Sequence, residues 1–298
     1  LLAAIAVLAV AFAVFAAIPA VADDSDADAT GSDVSKFEFG KIWVMEDGKY
    51  KTDNGSTENQ SEAEDYKTMK DALDAANKST AKEVVIECEG GENKAVKWGG
   101  NHLDVKRSLT VDGNGAVAFM DDAKNGNGNT DFAIENPQVT DAKCEANVTL
   151  KIDNLNNAGV WGYRTSASTF NLEMTNCDTT KGIVDNGARI FITGATGANN
   201  ISLTNCVFGA NSSNCTVYSN AAGSITIDTC TFTGINEPIN IKTKATSGET
   251  DIVVKNSDFT DCGKGNGTHS SWGNDATWAA PIRIVNAGSG SSSVEISN

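Results

Sequence analysis

Two hydrophobic patterns of different kinds follow one another along this chain. The first is an unbroken apolar run, Leu1 to Ala22, with no charge before Asp23. It ends Pro19-Ala20-Val21-Ala22, a small-residue pattern that suits signal-peptidase cleavage after Ala22. The same run is long enough to cross a bilayer as a retained anchor. Either way the remainder is exported, and residues 23–36, acidic and turn-rich, read as a disordered spacer. The second pattern is a strand-like alternation that recurs as LKIDNL from Leu150, LEMTNC from Leu172, ISLTNC from Ile201, ITIDTC from Ile225, IVVKNS from Ile252 and VEISN from Val294.

Aligned on Asn154, Asn176, Asn205, Thr229, Asn256 and Asn298, the copies are spaced 22, 29, 24, 27 and 42 residues apart. Spacings of that size mark a stacked repeat rather than a barrel or sandwich. Alternation turns Ile201 and Leu203, or Ile225 and Ile227, inward. Asn then takes the turn, because it tolerates left-handed backbone and hydrogen-bonds locally. Stacked copies predict a structural ladder of Asn154, Asn176, Asn205 and Asn256, a column of Cys177, Cys206 and Cys230, and a column of Phe208, Phe232 and Phe259. Second strands are predicted at 183–184, 216–218, 239–241 and 282–285. The last copy stops at Asn298 with nothing to cover it, which implies that further coils or an anchoring module follow.

Upstream, residues 37–44 and the turn at 46–49 predict a hairpin or first strand, and 53–64 a polar linker. Tyr66 to Ala76 is the clearest helix, with Met69, Leu73 and Ala76 on one face. Strands at Val84–Cys88 and from Leu109 follow it. A helix, a VVIEC strand and then SLTVDGNG resembles the entrance to right-handed parallel β-helices of the pectate-lyase-like superfamily. The resemblance implies an all-β solenoid over 37–298 with the helix covering its first coil. Asn/Gly/Thr-rich solenoids behind a leader also resemble adhesin-like surface proteins of prokaryotes, archaea included.

Charge narrows the function. Asp and Glu number 39 against 23 Lys and Arg, which argues against a phosphate-binding nucleic-acid face. No cofactor is expected; Ca²⁺ has only the net negative charge behind it. The seven cysteines form no C-x-x-C and there are two histidines, so no metal site is expected. Cys215 and Cys262, outside the column, are the two with freedom to pair or lie exposed.

Two loops interrupt the rhythm, 120–146 and 263–279. The second carries His269, Trp272, Asp275 and Trp278, and Trp161, Tyr163 and Arg164 form another aromatic group. Such residues suit stacking on sugar rings, or packing back on the scaffold. The carboxylate and base motifs of polysaccharide-cleaving relatives of this fold are missing; Asp185 with Arg189 is the least poor catalytic candidate. The reading is a non-catalytic, adhesin-like protein at the cell surface or outside the cell, presenting loops to carbohydrate or to a host or neighbouring cell. The alternatives are a lyase or hydrolase of acidic polysaccharide, and a purely structural envelope component. N-x-S/T sequons occur at eight asparagines, with Asn200, Asn211 and Asn214 expected to be accessible.

Overall fold

The computed structural model describes residues 36–91, 93–120, 130–135, 144–164, 169–181, 189–209, 215–243, 249–263 and 280–298. The leader, the spacer, strand 183–184 and most of both long loops lie outside these residues. The described chain is mostly strand, with one α-helix.

Most strands pair in parallel with the next strand of their own kind. In a first ladder Val84–Cys88, Leu109–Asp112, Asn147–Asp153, Thr169–Thr175, residues 199–204, Ile225–Asp228, Glu249–Lys255 and Ser291–Ser297 follow one another. A second ladder runs through Leu103–Asp104, Asp131–Ile134, Gly159–Arg164, the start of Ile190–Thr204, Cys215–Ala222, Glu237–Thr243 and Ile282–Asn286. The long strand Ile190–Thr204 belongs to both. Short third-ladder strands pair at Glu38–Phe39, Lys94–Lys97 and Val117–Phe119, and again at Val207–Phe208, Thr231–Thr233 and Asp258–Thr260.

Register puts like residues in one row. Ile86, Val111, Ile152, Met174, Leu203, Ile227 and Val254 are successive partners, and all are buried. A strand buried on one face needs an aliphatic at every second position, and this row supplies it. Phe208, Phe232 and Phe259 stack at centroid distances of 5.1 and 5.0 Å. Cys177, Cys206 and Cys230 are buried and reduced; their thiols donate to the backbone carbonyls of Thr175, Thr204 and Asp228. None of the seven cysteines is in a disulfide.

The corner after the first ladder is tight. Asn154, Asn176, Asn205, Thr229 and Asn256 all have positive φ, between 50° and 57°. The Asn176 amide donates to Asp153 Oδ1 at 3.0 Å, and the Asn205 amide donates to Asn176 Oδ1 at 2.7 Å. Thr229 interrupts the run, so the Asn256 amide donates to the Asp228 carboxylate instead, at 2.9 Å. A β-branched residue in left-handed backbone is strained. Thr229→Asn is therefore expected to stabilise the fold by about 1 kcal/mol, read from the midpoint of denaturant unfolding. A second amide row, not anticipated from sequence, starts where the Asn171 amide donates to Thr149. There the Asn200 amide donates to Asn171, and Asn200 Oδ1 accepts from Ser224 N–H.

The helix, α1, spans Met69–Lys78, three residues later than the sequence predicts. Thr68 caps it, its Oγ1 accepting from Asp71 N–H, while Tyr66 N–H donates to the Ile42 carbonyl. Met69, Ala72, Leu73 and Ala76 are buried. Arg107 donates to the carbonyls of Ser79 and Ala81 just beyond the last turn, where unpaired carbonyls need donors. Ile42–Glu46 and Lys49–Thr52 make the expected hairpin, but Ile42–Glu46 also runs antiparallel along Val84–Cys88 and gives the first ladder an edge of opposite sense. Residues 53–64 are not a bare linker, since Gly55–Thr57 adds a third antiparallel strand and Gln60–Glu62 a 3₁₀ turn. No described helix is long and apolar enough to cross a membrane.

Candidate functional site

The outer face of the second ladder collects the chemistry that the core does not use. Its strands alternate, so Phe132, Val160, Ile190, Val217 and Ile239 point into the core. The residues one step along each strand point the other way. They form the row Asp104, Ala133, Trp161, Phe191, Tyr218, Asn240 and Arg283, each in register with the next. Ala133, Trp161, Phe191 and Tyr218 make a cluster of their own, separate from the main core, with Cys215 against it. Phe191 and Tyr218 stack at 4.7 Å.

At one end of this face lie His102 and Asp131. His102 sits on the turn between Lys94–Lys97 and Leu103–Asp104, in left-handed backbone with φ 54°. Its ring stacks on Trp161 at 4.2 Å. Its Nδ1 is 3.6 Å from Asp131 Oδ2, and the two side chains are 8% and 2% exposed. Neither atom has a hydrogen-bond partner among the described residues. Asp131 begins its strand opposite Gly159, the only residue type that fits there: a Cβ on Gly159 would lie 2.2 Å from Asp131 Oδ1. Burial pushes Asp131 up to about 7, with the nearby Arg189 charge opposing. Burial, helped by the same charge, pushes His102 down to about 4. The Arg189 guanidinium carbon is 6.0 Å from the Phe191 ring.

At the other end Glu237 is fully buried. It accepts from the Asn240 amide at 3.3 Å, and Arg283 Nε lies 4.0 Å away. Burial and the Glu237 charge push the Cys215 thiol well above its ordinary range.

These two carboxylates are four strand steps apart, roughly 19 Å at about 4.8 Å per step. Glycoside hydrolysis by a carboxyl pair needs roughly 5–9.5 Å. Asp131 and Glu237 are therefore too far apart to act across one glycosidic bond. Among the described residues no three His, Cys, Asp or Glu side chains converge as for a metal ion.

Arg189 is brought into the His102–Asp131 cluster, while Asp185, its proposed partner, lies outside the described residues. So do His269, Trp272, Asp275 and Trp278. Trp161 is 7% exposed and covered by His102, so it offers no open stacking surface. Tyr163 and Arg164 belong to the strand Gly159–Arg164, but their side chains lie outside the description. Cys215 packs on the aromatic row instead of lying free, and the Cys262 thiol donates to the Phe232 carbonyl. Asn200 is engaged on both sides of its amide, as is Asn77, which donates to Asp104 and accepts from Lys106. Neither sequon presents an open side chain in the fold.

Sequence reasoning missed His102, Asp131, Phe191, Tyr218 and Glu237 as one face. His102 is one of two histidines, which was the available signal. The second-ladder strands begin at irregular intervals after the repeat, so their register could not be read from spacing. Compared with known proteins, the chain matches no family model, no curated protein and no solved structure.

Proposed function

We propose that the chain is an exported, non-catalytic surface protein built as a right-handed parallel β-helix that presents loops to carbohydrate or to another cell. The in-register parallel ladders, with like residues in like slots, support the coil. One observation carries the functional reading: long connections at residues 120–130, 135–146 and 261–281 each begin or end at a second-ladder strand. Corners from the first to the third ladder are short, five residues at 89–93, four at 113–116 and two at Asn205-Cys206, Thr229-Cys230 and Asn256-Ser257. Variation in length is thus concentrated beside one face, where binding loops are placed by a rigid scaffold. The 261–281 connection carries Trp272 and Trp278.

Retention of the protein on immobilised polysaccharides and on cells tests this, together with a cleavage panel. Trp272→Ala and Trp278→Ala together are expected to lower retention at least tenfold, on the scale of one lost aromatic anchor. Thr226→Ala, on the outer face of the first ladder, is expected to leave it unchanged. Product release from a polyuronate, or retention indifferent to the two tryptophans, would contradict the reading.

A further inference from the structure

We propose that the groove at the start of the first ladder binds a sulfate ester carried on a sugar, held by the Lys82 ammonium and the hydroxyls of Thr110 and Thr149. The site stands on the first ladder and is independent of what the loops beside the second ladder bind.

The groove encloses about 440 Å³, and Asp47, Lys82, Glu83, Thr110, Thr149 and Lys151 line it. Sites for small molecules are of that size, roughly 300–1,000 Å³. Its floor is the outer face of Leu109–Asp112 and Asn147–Asp153. Thr110 is in register with Lys151, and Thr149, two residues earlier on the strand, points the same way.

Hydrogen bonds within the chain fix the walls. Asp47 N–H donates to the Glu83 carbonyl, and Glu83 N–H donates to Asp47 Oδ1, both at 2.9 Å. Arg107 donates to the carbonyls of Ser79 and Ala81, which sets the turn that carries Lys82. Thr149 N–H donates to Ser108 Oγ at 3.0 Å and ties the two floor strands together. A groove built this way loses little freedom when a ligand enters.

Donors are left over in it. The chain carries a net charge of −16, and neighbouring lysines are paired, Lys51 with Glu46 at 3.4 Å and Lys151 with Glu173 at 2.7 Å. Lys82 is exposed and enters no ion pair among the described residues. The Thr110 hydroxyl makes no hydrogen bond among them. Thr149 Oγ1 accepts from the Asn171 amide at 3.1 Å, which leaves its proton to donate.

These three donors come from three elements, and a sulfate ester offers three oxygens to meet them. A carboxylate offers two in one plane, so one donor would go unmatched. The carboxylates of Asp47 and Glu83 accept, and they suit the hydroxyls of the sugar. They also repel closely spaced negative charge, such as that of a nucleic acid or a polyphosphate. No aromatic ring lines the groove among the described residues. A neutral sugar would therefore exchange hydrogen bonds with water for similar ones here, and affinity depends on the charged group.

Amide NMR titrations of the full chain test the proposal. The probes are a singly sulfated galactose disaccharide, its unsulfated form and a digalacturonate. The sulfated sugar is expected to saturate, to move the amides of Lys82, Thr110 and Thr149, and to bind roughly tenfold more tightly than either other sugar. Lys82→Gln should weaken it roughly tenfold and Thr110→Val roughly threefold. Glu83→Gln should tighten it roughly threefold, because a nearby like charge is removed. Lys255→Gln, four strand steps along the same ladder, should leave binding unchanged, as should the Trp272→Ala and Trp278→Ala pair. Equal binding of the unsulfated sugar or the digalacturonate would overturn the proposal. So would a Lys82→Gln protein that binds as wild type, or binding lost in the tryptophan variant with Lys82 in place. Should a variant fail to fold, the three wild-type titrations decide.

Discussion

Phe232→Ala is expected to destabilise the fold by about 4 kcal/mol, measured as a shift of the denaturant midpoint at unchanged slope. Phe232 is fully buried, and its ring is stacked on both sides, by Phe208 at 5.1 Å and Phe259 at 5.0 Å. Removing it deletes apolar area and leaves a cavity between two rings fixed by backbone pairing on either side. Those rings cannot close the gap without breaking register, so the cavity persists. Phe259→Ala, at a partly buried position, is expected to cost about half as much. A loss below 1 kcal/mol for Phe232→Ala would show that the rings do not form a continuous column.

Gly113→Ala is expected to cost about 3 kcal/mol, through close approach of backbones and not through any lost contact. A methyl group there would lie 2.4 Å from Leu155 Cα and 2.5 Å from the Asn154 carbonyl oxygen. Both belong to the following strand's corner, and Gly113 N–H already donates to the Asp153 carbonyl. The neighbouring backbone has no flexible side chain to give way. Gly100→Ala is the control: its added methyl would meet the end of the Leu103 side chain at 3.4 Å, ordinary contact. It is expected to stay within about 0.5 kcal/mol of wild type. Equal effects at both glycines, from parallel melting curves, would remove the case for close stacking at the corner.

The sequence exposes the first ladder because three demands coincide in each copy. A half-buried strand needs alternation, the corner needs left-handed backbone, and the slot behind it takes a small buried thiol or a ring. Residues 201–208 and 225–232 satisfy all three at once, so neighbouring copies can be aligned by eye. The second ladder lacks that corner. Its strands are entered through connections of unequal length, and Ile190–Thr204 passes from one ladder to the other without a break. Residues at 131, 161 and 218 therefore share a face without sharing a sequence spacing. The antiparallel edge at Ile42–Glu46 was hidden for another reason. Ile42, Trp43 and Val44 are all buried, so burial does not alternate there, whereas Phe39, part of the apparent alternation of Phe37, Phe39 and Trp43, is 42% exposed. The start of α1 was displaced because Tyr66 fits a helical pattern yet its backbone is committed to Ile42.

The central claim is that one strand of the first ladder is added per repeat, in register and in parallel. Thr110, Lys151, Glu173, Ser202, Thr226, Val253 and Glu295 are successive partners on its outer face. Pulsed electron–electron distances between spin labels on these positions test that claim directly. Labels carried by a non-canonical amino acid leave the native cysteines untouched. From Glu173 to Glu295 is four steps, roughly 19 Å, and from Thr110 to Glu295 is six, roughly 29 Å, at about 4.8 Å per step. A backbone separation that grows linearly with the number of strands, irrespective of the residues between them in sequence, is the predicted result. Distances that follow sequence separation, or that fold back so that Thr110 lies near Glu295, would contradict it.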